Sequence, residues 1–323
     1  MRVGLDVSPL DQTRAGTARY VTNLGAHTDL ELVRLRHRGS SRAATVYRDA
    51  VWYPVILPRL ARRQRLDVLH CPTFRGPLRG ASCPLVITVH DLAVFRHPDA
   101  FNTWTRAYSR RCVPRVVRAA DRVIAVSAFT KRELVDLLGT PEEKITTVAN
   151  GVDEVFTPDG PAADGDYVLA VGTLEPRKNL ARVEEAARQL GVELRVAGQA
   201  GWGRVDAPGW LGRVSDDELA RLYRGARCLV YASLYEGFGL PIAEAMACGT
   251  PVVTSVGGAT DETAGGAAVL VDPLDVAAIA TGIEDATARR DELRTLGLER
   301  ARAFSWEAAA HATADVYRQV ANR

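Results

Sequence analysis

Lysine is scarce in this sequence. Of the 41 basic residues, only Lys131, Lys144 and Lys178 are lysines, so a lysine in a loop that could bear chemistry is a residue to examine closely. An excess of charge of either sign is also lacking, because 39 acidic residues nearly balance the 41 basic ones. The resulting net charge of +2 provides no general attraction to nucleic acid, and we expect no nucleic-acid partner.

The sequence also lacks long apolar runs and regularly spaced cysteines. No uninterrupted apolar segment approaches the roughly 18 residues that cross a bilayer, and no charged leader with an apolar stretch precedes the first strand-like run. The 5 cysteines are odd in number and scattered, and no pair has metal-ligand spacing. We therefore expect free thiols, no metal site and a protein that stays in the cytoplasm.

Short apolar runs alternate with longer amphipathic stretches along most of the chain. The short runs are rich in Val, Ile and Leu and predict strands buried on both faces: Arg2–Val7, Leu30–Leu35, Val68–Cys71, Leu85–Val89, Arg122–Val126, Ile145–Val148, Tyr167–Val171, Glu193–Ala197, Cys228–Ala232, Val252–Thr254 and Ala268–Val271. The stretches between them predict helices, for example Thr130–Leu138, Leu180–Leu190, Asp216–Tyr223 and Val276–Thr287. This repeated order predicts an α/β fold with parallel sheets and helices on both faces.

A boundary between two domains is predicted at Phe156–Asp166, which is rich in Pro, Gly and Asp and is followed by a new strand. We expect a first domain at 1–158 and a second at 165–304, with the last helical stretch, 305–323, packing back on the first. Ligands of such folds bind at the carboxyl ends of the strands. With two domains, the expected site is the cleft between them.

The segment YASLYEGFGLPIAEAMACGTPVV carries two carboxylates, Glu236 in a loop and Glu244 in the helix that follows. Gly237 and Gly239 would let a ligand approach the backbone closely. A carboxylate accepts hydrogen bonds from two neighbouring hydroxyls, as on a ribose or a hexose. Spacing alone leaves two interpretations equally good. In one, both glutamates bind sugar hydroxyls; in the other, one caps the helix while the second is solvated.

This segment resembles the signature of the large retaining glycosyltransferase family with the GT-B fold, family four or glycosyl transferases group 1. The hallmark is two glutamates eight positions apart, the first followed by Gly-Phe-Gly-Leu-Pro, as at Glu236 and Glu244 here. The resemblance implies two Rossmann-like, doubly wound domains facing each other across a cleft, the second binding a nucleotide diphosphate sugar. It implies that Glu244 holds the ribose and Glu236 the transferred sugar, and that Phe238, Gly239 and Leu240 also contact the donor. It implies a retaining reaction that needs no cofactor and no metal.

The segment YVLAVGTLEPRKNL supplies two cations after a strand. Gly172 opens the turn, and Arg177 with Lys178 stands at the beginning of the next helix, where amides and the helix dipole favour an anion. Two cations there would neutralise a departing diphosphate. In the family resemblance, Lys178 falls at the phosphate-binding lysine. Thr173 stands where many members carry arginine, so Arg177 is the candidate for the second charge.

Three further loops are candidates. His90 follows the strand Leu85–Val89, where the resemblance implies a histidine near the transferred sugar; metal binding is not favoured there, because no third ligand has suitable spacing. Gly16 precedes a helix and carries over from a glycine-rich loop of the family that meets phosphate or sugar. Val214 precedes a capping box at Ser215, and the resemblance implies that its backbone contacts the nucleobase.

The helical stretch Asn102–Ala120 is rich in arginine. Its default interpretation is a solvated face, and the alternative is peripheral contact with anionic lipid on the inner face of the membrane. The implied partners are a nucleotide-sugar donor and a glycan, lipid-linked or small-molecule acceptor. The segments HDLAVFRHPDAF and GTLEPRKN are most similar to the mannosyltransferase branch, which favours GDP-mannose.

Three alternatives stay open at this stage. A sugar-nucleotide epimerase or a phosphorylase would share the fold, although a phosphorylase needs pyridoxal phosphate on a lysine. A dinucleotide-dependent oxidoreductase is disfavoured, because Gly198–Gly203 has its glycines in the wrong order for a dinucleotide fingerprint. A non-catalytic nucleotide-sugar binder would keep the same pocket.

Overall fold

A computed structural model describes residues 1–12, 16–201 and 209–322. Within these ranges the chain has twelve strands and thirteen α-helices, arranged in two compact units. Unit 1 comprises Met1–Gly151 and Trp306–Arg323, and unit 2 comprises Val152–Ser305. Part of the glycine segment Gly198–Gly203, residues 202 and 203, lies outside the described residues.

Unit 1 is built on a six-stranded parallel sheet. Its strands lie in the order β2-β1-β3-β4-β5-β6, with bounds β1 Arg2–Asp6, β2 Glu31–Leu35, β3 Val68–Cys71, β4 Leu85–Val89, β5 Arg122–Ala125 and β6 Ile145–Thr147. The central strands β3 and β4 are buried along their whole length, as expected of strands covered on both faces. The helices are α1 Gly16–His27, α2 Arg42–Tyr47, α3 Leu57–Arg63, α4 Ala93–Arg96, α5 Thr103–Ala119, α6 Ala128–Leu138 and α13 Trp306–Ala321.

The C-terminal helix α13 packs against α1 and the sheet of unit 1. A buried polar network holds it there: the Tyr317 hydroxyl lies 2.6 Å from Nδ1 of His70, and Nε2 of His70 lies 2.8 Å from the Thr88 hydroxyl. The Tyr20 hydroxyl of α1 completes the network at 3.0 Å from that of Thr88. All four side chains are buried, so each polar atom is satisfied inside the core rather than by water.

Unit 2 repeats the plan with a second six-stranded parallel sheet. Its order is β12-β11-β10-β7-β8-β9, with bounds β7 Tyr167–Val171, β8 Glu193–Ala197, β9 Trp210–Gly212, β10 Leu229–Tyr231, β11 Val252–Ser255 and β12 Val269–Val271. The helices are α7 Leu180–Gln189, α8 Asp216–Gly225, α9 Leu240–Ala247, α10 Gly258–Ala264, α11 Val276–Ala288 and α12 Arg290–Ala301. The two sheets with their helices confirm the predicted α/β fold class.

The helical segment between β2 and β3 was not predicted. It consists of α2, a π-helix at Arg48–Ile56 and α3. Pro54 lies inside the π-helix and Pro58 at the beginning of α3, and proline weakens the helical signal because it lacks an N–H donor. The backbone accommodates Pro54 in a wider, π-helical turn. Such turns are frequent at functional sites.

Candidate donor-binding site

The order of strands in unit 2 marks one point on the sheet edge. The chain goes from β7 to β8 and β9 on one side, then crosses to β10, which lies on the other side of β7. The carboxyl ends of β7 and β10 therefore flank the place where the strand order reverses. In open α/β sheets, ligands bind in the crevice that such a switch point creates.

Four charged side chains meet at this switch point. After β7, Nζ of Lys178 donates to Oε1 of Glu236 at 2.6 Å, and Glu236 follows β10. Nη1 of Arg177 donates to Oε2 of the same carboxylate at 2.9 Å, so the two cations divide its two oxygens. Nη2 of Arg177 also pairs with Glu175 at 2.7 Å. The predicted site residues Arg177, Lys178 and Glu236 thus form one ion cluster.

Burial makes these ion pairs strong. The side chains of Lys178 and Glu236 are only 11% and 9% exposed. Burial alone would raise the pKa of Glu236, but the charges of Arg177 and Lys178 outweigh it and lower that pKa to about 2. Burial lowers the pKa of Lys178, and the Glu236 carboxylate opposes that shift. Glu236 is therefore a carboxylate throughout the physiological range of pH.

Lys178 retains capacity for a ligand. Its ammonium carries three N–H donors, and its partners within the described residues are Glu236 and the Tyr231 hydroxyl, the latter at 2.7 Å. Burial, reinforced by Glu236, raises the pKa of Tyr231 well above its usual value, so the phenol remains neutral beside the ammonium. One N–H of Lys178 is thereby left for an incoming oxygen.

Backbone geometry keeps the cations in place. Gly172 has φ 149°, and a Cβ at this position would lie 3.0 Å from Cε of Lys178, so the lysine chain crosses the end of β7 only because Gly172 has no side chain. Asn179 adopts φ 59° at the beginning of α7. Its side-chain amide donates to the carbonyls of Ala232 and Pro273, at 3.0 and 2.6 Å. Asn179 thus ties the lysine loop to the loop after β10.

Glu244 lies in α9 and is held separately from Glu236. Gly239, with φ 101°, immediately precedes α9 as its N-cap, and Pro241 occupies the first turn. Glu244 is buried, and its Oε2 accepts a hydrogen bond from the Tyr223 hydroxyl of α8 at 3.0 Å. The two glutamates of the motif therefore have different partners, one cationic and one phenolic.

Leu240 is the first residue of α9, and Phe238 lies two residues before it. The Phe238 ring is buried and packs edge-on against Phe304, with ring centres 5.4 Å apart. The Phe238 carbonyl accepts from the Thr263 hydroxyl at 2.6 Å. The side chain of Phe238 thus fixes the loop from within the core, and a donor contact at this residue would use its backbone.

Val214 lies between β9 and α8. It is half-buried against the core of unit 2, and the hydroxyl of Ser215 caps α8 by accepting from the amide of Glu218 at 3.2 Å. The predicted contact between Val214 and a nucleobase stays a prediction.

His90 and Gly16 belong to unit 1. His90 follows β4, and its Nε2 lies 3.1 Å from the carbonyl of Pro72. Because a carbonyl only accepts, Nε2 carries the proton and Nδ1 is the acceptor. Burial lowers the pKa of His90, which favours this neutral form. The ring packs edge-on against Tyr20 at 5.0 Å, one turn along the helix that Gly16 begins.

Glu175, Asn179 and Tyr231 complete the site of unit 2 and were not predicted. Glu175 and Asn179 lie within two positions of the Arg-Lys pair, so proximity in sequence could have indicated them. Tyr231 is inside a strand, where its residue type is equally typical of a core, and only the parallel pairing of β7 with β10 brings it to Lys178.

The described residues contain neither a metal-binding cluster nor a membrane-spanning helix. Among the described residues, no group of three or more His, Cys, Asp and Glu side chains could hold a metal ion. In the same part of the chain, no helix is long and apolar enough to cross a membrane.

Two doubly wound units, with cations and carboxylates at the switch point of the second, are the features of a GT-B glycosyltransferase. Residues 14–156 match Glycosyltransferase Family 4, and residues 153–303 match Glycosyl transferases group 1. The chain belongs to this family of glycosyltransferases, as the motif at Glu236 and Glu244 predicted.

Individual proteins support this assignment. The chain is 33% identical over 290 residues to O-antigen chain mannosyltransferase B of Escherichia coli, covering 78% of this chain and 74% of that protein. It is 35% identical over 266 residues to the D-inositol 3-phosphate glycosyltransferase of Geodermatophilus obscurus, covering 70% of this chain and 59% of that protein. The fold is similar to that of HepE from Anabaena, solved with UDP-glucose, with a TM-score of 0.75 at 18% identity and coverage of 99% and 100% of the two chains.

Proposed function

We propose that this glycosyltransferase moves a hexose from a nucleoside diphosphate sugar to a hydroxyl of a glycan or lipid-linked acceptor, with retention of configuration. The observation that carries the proposal is the cluster of Arg177, Lys178 and Glu236 at the switch point of unit 2. Mannose is the favoured sugar, because the relative from Escherichia coli is named a mannosyltransferase.

Charge stabilisation of the leaving group is the main chemical task. As the bond between C1 of the sugar and the diphosphate breaks, negative charge grows on the departing oxygen. Arg177 and Lys178 lie together in a largely buried site, where cations stabilise such charge more strongly than they would in water. Because two protein cations supply this charge, the proposed reaction needs no divalent metal.

Donor binding would open the ion cluster. Two cations and two carboxylates are in balance in the ligand-free arrangement, so a diphosphate competes with Glu236 for Lys178 and Arg177. A Glu236 carboxylate released from these cations would accept hydrogen bonds from hydroxyls of the transferred sugar. Glu244, positioned by Tyr223, is the proposed acceptor for the ribose hydroxyls.

The acceptor hydroxyl would attack C1 on the face that the diphosphate leaves, and its proton would pass to the departing phosphate oxygen. This route forms one C–O bond, breaks one and requires no covalent sugar–enzyme intermediate. The proposed part of His90 is to bind a hydroxyl of the transferred sugar through its neutral Nδ1. Gly16, at the beginning of α1, would let a phosphate or sugar approach the backbone.

A binding screen tests the proposal. Calorimetry with GDP-mannose, UDP-glucose and the free nucleotides should show the tightest binding for GDP-mannose and GDP. Glu244→Gln should weaken this binding about ten-fold, because it removes one charge-assisted hydrogen bond. The Glu262→Gln variant, in α10, is the control. NMR of the product should show the anomeric configuration of the donor. A preference for uracil would overturn the choice of GDP-mannose, and an inverted product would overturn retention.

A membrane-facing surface in unit 1 is the second part of the proposal. The sequence of α5 contains no Asp or Glu, and its exposed arginines are Arg110, Arg111, Arg115 and Arg118. A uniformly positive face attracts anionic lipid by about 1 kcal/mol per residue near the surface. We propose that the enzyme works in the cytoplasm with α5 against the inner face of the membrane, where a lipid-linked acceptor would lie.

A further inference from the structure

Unit 1 has a switch point of its own. The chain goes from β1 to β2 on one side and then crosses to β3, which pairs with β1 on the other side. The carboxyl ends of β1 and β3 therefore flank a second crevice of the kind that binds ligands in open α/β sheets.

A paired-arginine cluster occupies this place, formed by Arg48, Asp49, Arg75, Trp104 and Tyr108. Asp49, whose side chain is fully buried, accepts from Nε of Arg48 at 2.9 Å and from Nε1 of Trp104 at 3.1 Å. Nε of Arg75, in the loop after β3, lies 3.3 Å from the same carboxylate. Arg48 also donates to the side chain of Gln12, in the segment after β1. The cluster thus joins the segments that follow both strands.

One donor in this cluster lacks an acceptor among the described residues. It is the hydroxyl of Tyr108, a residue only 7% exposed, whereas Nε of Arg75 faces the carboxylate of Asp49. Burial raises the pKa of Tyr108, so its phenol keeps the proton that it could donate. Buried donors are ordinarily satisfied, and leaving one unpaired is unfavourable. An unpaired buried hydroxyl beside two guanidinium groups indicates a place for an acceptor atom.

The charges point to an anion. Arg48 and Arg75 share the single carboxylate of Asp49, while the next carboxylate, Asp11, is paired with Arg36 at 2.6 Å. A further buried carboxyl, Asp6, accepts from Ser8 and Tyr53. The cluster itself thus contains two guanidinium groups and one carboxylate.

Aromatic rings fix the geometry around this charge. The guanidinium of Arg75 lies over the rings of Phe74 and Tyr108, at 5.3 and 5.2 Å from their centres. Both rings lie within cation–π distance of the guanidinium and restrict its orientation. Trp104 is anchored through its indole nitrogen yet remains 44% exposed, which makes it a rigid aromatic surface beside the cluster.

We propose that the paired-arginine cluster binds an anionic group of the sugar acceptor, a phosphate or diphosphate, through Arg75 and Tyr108, with Trp104 as the surface for the adjoining sugar ring. Arg48 and Asp49 are positioning residues that hold Arg75 and Trp104. The identification of the bound anion as part of the sugar acceptor rests on the proposed function, whereas the existence of the anion site does not.

Direct binding of inorganic phosphate tests the site without any donor. In the full chain, Lys178→Ala weakens the competing anion site of unit 2. In this background we expect phosphate binding to persist, to fall at least ten-fold with Arg75→Gln, and to fall several-fold with Tyr108→Phe. Tyr108→Phe removes only a hydroxyl that has no partner in the described part of the chain, so thermal stability should stay unchanged. Arg79→Gln, at an exposed position in the same loop, is the matched control.

The outcomes separate this inference from the proposed function. Equal phosphate binding by the Arg75→Gln, Tyr108→Phe and parent chains, or no binding in the Lys178→Ala background, would overturn the anion site. Mannose 6-phosphate and vesicles containing a prenyl diphosphate then distinguish a small acceptor from a lipid-linked one. If phosphate binds but neither probe binds in an Arg75-dependent way, the acceptor assignment is wrong. Failure of every nucleotide sugar to bind would instead overturn the proposed function and leave the anion site intact.

Discussion

The two sheets carry different charge arrangements at equivalent places. At the switch point of unit 2, Arg177 and Lys178 meet two carboxylates, and the charges balance. At that of unit 1, Arg48 and Arg75 share only Asp49. A balanced cluster must be opened by its ligand. A cluster with two guanidinium groups on one carboxylate, and with a Tyr108 hydroxyl that is unpaired among the described residues, is already prepared to receive one. The difference suggests that the same fold serves a donor that competes for its site and an acceptor that completes its site.

Replacing Lys178 should have the largest effect on this comparison. Lys178→Ala removes the cation with an uncommitted donor, and loss of one preorganised group that stabilises developing charge costs about 10²–10³ in rate. Steady-state kinetics should show the loss mainly in kcat. Lys131→Ala, a lysine paired with Glu142 in unit 1, controls for loss of a lysine. If the Lys178→Ala enzyme transferred sugar at the parent rate, the proposed catalytic role of the unit 2 ion cluster would be wrong.

Acid should destabilise unit 1 before it affects the ion cluster of unit 2. Burial lowers the pKa of His70 to about 3, so below the usual histidine value of about 6.5 the unfolded chain takes up a proton that the folded chain does not. The free energy of unfolding therefore decreases as the pH is lowered. The decrease is about 2 kcal/mol between pH 6.5 and 4.5, because the slope reaches about 1.4 kcal/mol per pH unit only well below pH 6.5. His90, whose pKa is also lowered, adds loss of the same sign.

The ion cluster responds in a different window. Glu236 titrates in the unfolded chain near 4.5 and in the folded chain at about 2, so its stabilising contribution is complete above pH 4.5 and is lost as pH falls toward 2. Hydrogen exchange measured at pH 6.5 and 4.5, corrected for intrinsic rates, should show weaker protection in unit 1 only. His70→Gln should flatten the dependence. Equal loss in both units would show that the buried network of His70 is not the acid-sensitive element.

A methyl group on Gly172 should disturb the donor site through Lys178. At φ 149° a side chain is strained, and the new Cβ would lie 3.0 Å from Cε of Lys178, so we expect Gly172→Ala to lower kcat/KM by about ten-fold or more through misplacement of the ammonium. Gly191→Ala is a matched control, because Gly191 also has a positive φ, 64°, but a Cβ there meets nothing within 4 Å. If the two variants lose activity equally, backbone strain and not Lys178 is responsible.

The two sites differed in how far sequence could predict them. The site residues of unit 2 lie in two short segments, 172–179 and 231–244. The first segment has two adjacent cations and the second has a recognisable motif, so Lys178, Glu236 and Glu244 could be predicted. The paired-arginine cluster joins positions 48, 49, 75, 104 and 108, and arginine is too common here to mark a site. Only the strand order of unit 1 and the π-helix that carries Arg48 bring these side chains together.

The helix α5 offers the smallest expected effect. Its exposed arginines, Arg110, Arg111, Arg115 and Arg118, lie apart from the buried cluster that shares the helix through Tyr108. Replacing all four by glutamine should reduce sedimentation with vesicles rich in phosphatidylglycerol several-fold, and about 0.15 M salt should weaken the binding of the parent chain because exposed charges are screened. Phosphate binding by Arg75 should be unchanged in this variant. Unchanged sedimentation would leave α5 as a solvated face and would locate acceptor recognition in the buried cluster alone.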